Sequence, residues 1–261
     1  MIDTPTYMIC MEKNKGNVCN IDKVSKCFNN FQVFPAVVGK DLDIYDPDIV
    51  HPMTFSVIKN NIGGDWTQID SMGALGCSLS HISLWEKCIE SGEPFIILED
   101  DVDVTGTICK NFDRFIELIP EDCDLLSLMY IKNDSTPTSR DKKHYKYIND
   151  PYFMGTQAYY LTPKAAEVLI KYALPITMHI DMYIASCSSQ GIINAYAVRK
   201  RLYSSREQMS DFMGSRIKHK FYFKKLLPNN NTPYTLSLIL SVLFVIIFIY
   251  CIYRLCTYKC T

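Results

Sequence analysis

Residues 95–98, Phe-Ile-Ile-Leu, form a wholly apolar run that leads directly into Glu99-Asp100-Asp101-Val102-Asp103. A run so short and so apolar fits a central strand covered on both faces. Four carboxylates in five residues repel one another unless solvent or a cation neutralises them. An acidic turn accounts readily for one or two of them. An apolar strand feeding all four points to a site, because open α/β sheets bind ligands outside the carboxyl ends of their strands. Alternate residues of an extended chain point the same way. Glu99 and Asp101 therefore make one oxygen pair for a hard divalent ion and Asp101 and Asp103 a second. The metal would bridge a diphosphate, leaving Asp100 for a ribose or sugar hydroxyl.

The rest of the first 215 residues has the rhythm of an α/β domain, with short apolar runs alternating with helical patterns and no Gly/Ser linker to divide it. Strands are expected at 6–11, 31–38, 95–98, 125–129 and 155–161. A helix is expected over 78–91, with Ile82, Trp85, Cys88 and Ile89 on one face and Gly92 as its stop. Another over 113–119 ends at Pro120, and Thr162-Pro163 caps a third over 164–172. Residues 175–184 carry His179 and Asp181 ahead of a further helix. The fold class expected is α/β, a Rossmann-like mixed sheet flanked by helices in a single domain.

The C-terminal part reads differently. Residues 236–253 run without a charge, Pro or Gly, and as a helix would extend roughly 27 Å, close to the hydrocarbon thickness of a bilayer. A buried core helix would normally show some polar face. The organisation expected is a domain over 1–215, a basic juxtamembrane connector over 216–233, a transmembrane helix over 234–253 and a tail over 254–261. The N-terminus lacks the basic start and apolar core of a signal peptide. Five Lys or Arg between Arg216 and Lys225, against Arg254 and Lys259 after the span, place the domain in the cytosol by the positive-inside rule. That placement predicts reduced cysteines, and the first eight of the eleven show no CxxC and no Cys/His cluster of zinc spacing. The sequons at Asn133 and Asn230 matter only for the opposite orientation. Nine Lys or Arg in 199–225 would draw the domain toward anionic membrane lipids.

Whole-chain averages conceal this division. There are 27 basic and 28 acidic residues, a formal charge of −1 and 48% hydrophobic content. The balance argues against a mostly disordered chain and a generally basic nucleic-acid binder, so no nucleic-acid partner is expected.

Three blocks carry a family likeness: Gly76-Cys77-Ser78-Leu79-Ser80-His81-Ile82-Ser83-Leu84-Trp85-Glu86, Phe95 through Val102, and Gly155-Thr156-Gln157-Ala158-Tyr159-Tyr160-Leu161. In that order they resemble glycosyltransferase family 25, which includes lipooligosaccharide and collagen galactosyltransferases. Residues 34–42 match an earlier block of the family, and Ile180-Asp181 falls where a Pro-x-Asp-type block is expected. The resemblance implies a GT-A fold, a UDP-sugar donor and Mn²⁺ (or Mg²⁺) at Glu99, Asp101 and Asp103. It further implies inverting transfer of a hexose, galactose or glucose, to a glycan, lipid or protein acceptor. Asp181 is the candidate base, with an acceptor contact or a structural hydrogen bond as the alternatives. Asp100, Ser80, His81 and Gln157 are the donor-binding candidates, Ser80 and His81 by positioning loops around the donor. The first strand, Tyr7-Met8-Ile9-Cys10-Met11, lacks the family's usual Asn and Arg, which keeps open a second reading: a membrane-anchored binding protein on an inactive GT-A scaffold.

Overall fold

A computed structural model describes residues 3–11, 18–62, 67–104, 116–129, 138–149, 155–199 and 203–205. The chain divides into two units, Met1–Phe212 and Met213–Thr261. The second unit, the 234–253 segment and the 113–115 portion of an expected helix lie outside the described residues. Among the described residues no helix is long and apolar enough to cross a membrane.

The elements run β1 (Thr6–Cys10), α1 (Val18–Ser25), β2 (Phe31–Pro35), a 3-10 turn at Gly39–Asp41, α2 (Pro52–Asn60), α3 (Met72–Ser91), β3 (Phe95–Glu99) and β4 (Val102–Val104). They continue with β5 (Leu125–Ser127), β6 (Tyr145–Tyr147), β7 (Ala158–Leu161), α4 (Pro163–Ala173), α5 (Ile180–Ser189), β8 (Ala195–Val198) and β9 (Tyr203–Ser205). Seven strands form one mixed sheet in the order β2-β1-β3-β7-β5-β8-β6, and β4 pairs with β9 in a separate ribbon. β1 is parallel to both β2 and β3, while β7 runs antiparallel to β3 and β5.

The apolar run at 95–98 is central, as its composition predicts. Phe95 and Ile97 enter the core on one face of the sheet, and Ile96 and Leu98 enter the core on the other. That period of two is the strand's own geometry, and both faces are covered, so no polar position is tolerated before Glu99. The first face packs against α3, α4 and α5 through Trp85, Leu84, Leu169 and Ile184. The second packs against Val24 from α1, with Cys27 and Phe28 just beyond it.

From β1 the chain passes to β2 on one side and then to β3 on the other. The strand order therefore reverses around β1, and a topological switch point opens at the carboxyl ends of β1 and β3, where Ile9 is paired with Glu99.

Several elements depart from expectation. α3 begins at Met72 rather than near Ser78, capped by Ser71, whose hydroxyl accepts the Ala74 N–H at 3.3 Å. Two glycines in its first turns hide that start from a propensity argument. Gly76 is there because a Cβ would stand 2.5 Å from the Val37 carbonyl oxygen, and Gly39 opposite it leaves no room either. The C-terminal stop is as expected: Gly92 is left-handed, with its N–H on the carbonyls of Cys88 and Ile89. Thr162 caps α4 as expected, accepting the Ala165 N–H at 3.2 Å. Asp181 lies in the first turn of α5 instead of ahead of it. The cysteines also differ in part. Cys10, Cys88, Cys123 and Cys187 are buried free thiols, but Cys27 is disulfide-bonded.

Candidate active site at the carboxyl end of β3

β3 delivers Glu99 to the switch point with its side chain 24% exposed, and two neighbours fix it. The Thr156 hydroxyl donates to Glu99 Oε1 at 2.7 Å, and His81 Nε2 stands 3.3 Å from the same oxygen. His81 is fully buried, held by its place on α3. Its Nδ1 shares a 2.8 Å hydrogen bond with the Tyr159 hydroxyl, which also accepts the Trp85 indole N–H at 2.9 Å. Burial pushes the Glu99 carboxyl up, but His81 beside it and the Thr156 hydrogen bond outweigh this and hold the group below its ordinary value.

Asp101 follows in the turn between β3 and β4. Its Oδ1 is buried without a hydrogen-bond partner among the described residues. Burial, and then the negative charges of Glu99 and Asp100, push its carboxyl up to about 7. Asp103 lies on β4, paired through its backbone with Ser204, and its side chain is outside the described residues.

Asp181 arrives from α5. Its Oδ1 accepts the Met182 N–H at 2.8 Å and its Oδ2 the Gly155 N–H at 3.2 Å. Gly155 and Thr156 are adjacent, so one short segment leading into β7 grips Asp181 with its backbone and Glu99 with a side chain. Cys77, one turn before His81 on α3, reads the same assembly: packing around the thiol, then the charges of Glu99, Asp181 and Asp101, raise it well above its ordinary value. Three elements separated by as many as 104 residues in sequence thus converge on one site.

The remaining donor-binding candidates divide. Gln157 enters beside this segment, its backbone carbonyl accepting the Glu99 N–H at 2.9 Å and its side-chain Oε1 buried without a hydrogen-bond partner among the described residues. Gly155 has φ +121°, a conformation that favours glycine, and an added Cβ would stand 2.6 Å from Gln157 Oε1. Ser80 is fully buried and works as a clamp: its hydroxyl donates to Gly76 O at 2.7 Å and accepts the Val37 N–H at 2.8 Å. It positions the 37–39 loop, and His81 is likewise fully buried. Asp100 lies at the turn beside the site, half-buried.

Cys77, Thr156, Tyr159 and Trp85 were not singled out as site residues by sequence reasoning. Nor was a Cys/His cluster, yet Cys77 and His81 are one helical turn apart. With Glu99 they bring three ligand atoms within 4.8 Å of one another. The helical i, i+4 spacing carried that signal, but the third member comes from another element.

The model of glycosyltransferase family 25, described as an LPS biosynthesis protein family, matches residues 3–184. The chain belongs to that family. It is similar to the putative glycosyltransferase R655 of Acanthamoeba polyphaga mimivirus, 27% identical over 114 residues that make up 42% of this chain and 32% of that protein. A glycosyltransferase 25 family member of Aedes aegypti is 30% identical over 104 residues, 37% of this chain and 16% of that protein. The chain thus aligns with a third or less of the length of these curated relatives. Among solved structures, a glycosyltransferase involved in glycosylation of the major capsid of PBCV-1 aligns with a TM-score of 0.33 at 12% identity, covering 65% of this chain and 69% of that one.

Proposed function

We propose that this chain is a metal-dependent glycosyltransferase with a GT-A-type fold, transferring a hexose from a UDP-sugar, with inversion, to a glycan, lipid or protein acceptor. The observation that carries the reading is the single segment Gly155-Thr156 holding Asp181 and Glu99 together beside the unsatisfied Asp101 Oδ1. An all-oxygen donor set with a buried unmatched oxygen fits Mn²⁺ or Mg²⁺. Asp101 would be the principal ligand, with Glu99 and Asp103 beside it. When bound, the ion supplies neutralisation of the leaving diphosphate.

The chain's own residues do the rest. Two backbone N–H groups fix the Asp181 carboxylate, so its free lone pairs can take the acceptor hydroxyl's proton without reorientation. Gln157 Oε1 offers a hydrogen-bond acceptor to a sugar hydroxyl. The test is the full chain with Mn²⁺ and a panel of UDP-sugars. Hydrolysis or transfer from one donor, lost in Asp101→Ala, supports the reading, whereas no donor bound or turned over by the wild type defeats it.

The apolar 234–253 segment is proposed as a membrane anchor, with the basic 199–225 stretch against anionic headgroups. Its positive-inside flank favours a cytosolic domain. The Cys27 disulfide favours the opposite face, since such bonds persist in oxidising compartments. A glycan found on Asn133 by mass spectrometry decides for the second orientation, and an unmodified Asn133 with the domain digested by protease added to the cytosolic side decides for the first.

A further inference from the structure

We propose that Cys77, His81 and Glu99 form a second metal site, for a thiophilic divalent cation of the zinc class, which shares Glu99 with the oxygen-rich end formed by Asp101. The three ligand atoms lie within 4.8 Å of one another. His81 is fully buried, and its Nε2 has no hydrogen bond among the described residues although it stands 3.3 Å from Glu99 Oε1. Zinc bonds to nitrogen and oxygen of about 2.0–2.2 Å in a tetrahedron place those two ligand atoms roughly 3.4 Å apart, a spacing that the 3.3 Å between His81 Nε2 and Glu99 Oε1 accommodates.

The surroundings supply what metal ligands need. Tyr159 orients the His81 ring through Nδ1, Trp85 orients Tyr159, and Thr156 fixes the ligating oxygen of Glu99. Such supporting hydrogen bonds set tautomer and direction at metal centres. On binding, the Cys77 thiol loses its proton to solvent. His81 takes the tautomer protonated on Nδ1, where the Tyr159 oxygen accepts it alongside the Trp85 N–H. Three protein ligands leave the fourth tetrahedral position for water or a substrate oxygen. Thiolate and imidazole together select zinc-class ions, while the carboxylates beyond select Mn²⁺ or Mg²⁺. Binding at this site does not require that the chain transfer sugars.

Cobalt(II) serves as the probe. The full chain, purified and stripped by chelator, is titrated with Co²⁺ in excess Mg²⁺ and followed for the thiolate-to-cobalt charge-transfer band. The wild type is expected to bind one equivalent with that band, and Zn²⁺ is expected to abolish it by displacement. Cys77→Ser, its fold checked by circular dichroism, is expected to lose the band. Tyr159→Phe is expected to weaken cobalt binding by about 10–100-fold. A wild type without the band, or a band that persists in Cys77→Ser, overturns the proposal. Asp101→Asn is expected to keep the band while losing sugar-nucleotide turnover, so the two sites fail separately.

Discussion

At Asp101 burial, and then the charges of Glu99 and Asp100, raise the carboxyl to about 7. An unfolded Asp titrates near about 3.9. A carboxyl raised on folding favours the native state below the unfolded value and gives up that contribution as pH rises through the folded one. In chelator, the thermal midpoint of the wild type should therefore fall relative to Asp101→Asn as pH goes from about 4 to about 8, and saturating Mn²⁺ should restore it. Parallel midpoints for the two proteins across that range would refute this account of Asp101. Ser80 makes a second case at this scale. Removing its hydroxyl leaves the Val37 N–H without its partner, and Ser80→Ala should cost about 1–3 kcal/mol in denaturant unfolding. The acidic quartet was legible because local sequence alone placed it after a strand. The inward role of Ser80 was not, because its partner Val37 lies 43 residues away.

At the scale of elements, α3 is the support of the site. It carries Cys77, Ser80, His81 and Trp85, and its first turns press against the Gly39 turn so closely that a Cβ on Gly39 would come 1.8 Å from the Met72 carbonyl oxygen. Gly73, in the same first turn, meets nothing within 4 Å. Gly73→Ala should therefore be neutral or stabilising by about 0.5–1 kcal/mol, whereas Gly76→Ala should destabilise by several times that amount and displace the 37–39 loop. Equal midpoints for the two variants would contradict the close approach. The end of α3 was readable from Gly92, and the start of α4 from Thr162-Pro163. Its beginning was obscured because glycines that serve packing look locally like a break. Strands of three or four residues such as β6 and β8 carry too short a pattern to be read, and become evident only through the pairing of Tyr145–Tyr147 with the 196–198 segment.

For the whole molecule, the bland averages conceal an acidic site at the centre of an α/β sheet and an apolar segment outside the described residues. The family match over residues 3–184 covers the sheet through the first turn of α5. What the linear sequence held apart, the fold assembles: Glu99 from β3, Asp181 from α5 and the Gly155-Thr156 segment that holds both. Their order along the chain was visible, but their contact required the antiparallel β7 beside β3. The most direct measurement of the central claim is turnover of UDP-sugars by the full chain with Mn²⁺, comparing wild type with Asp101→Ala and Asp181→Asn. One donor should be consumed by the wild type, with at least about 100-fold loss of rate in each variant, as expected for removing charge stabilisation or a general base. A wild type that binds and consumes no sugar nucleotide, or variants that keep its rate, would contradict the account.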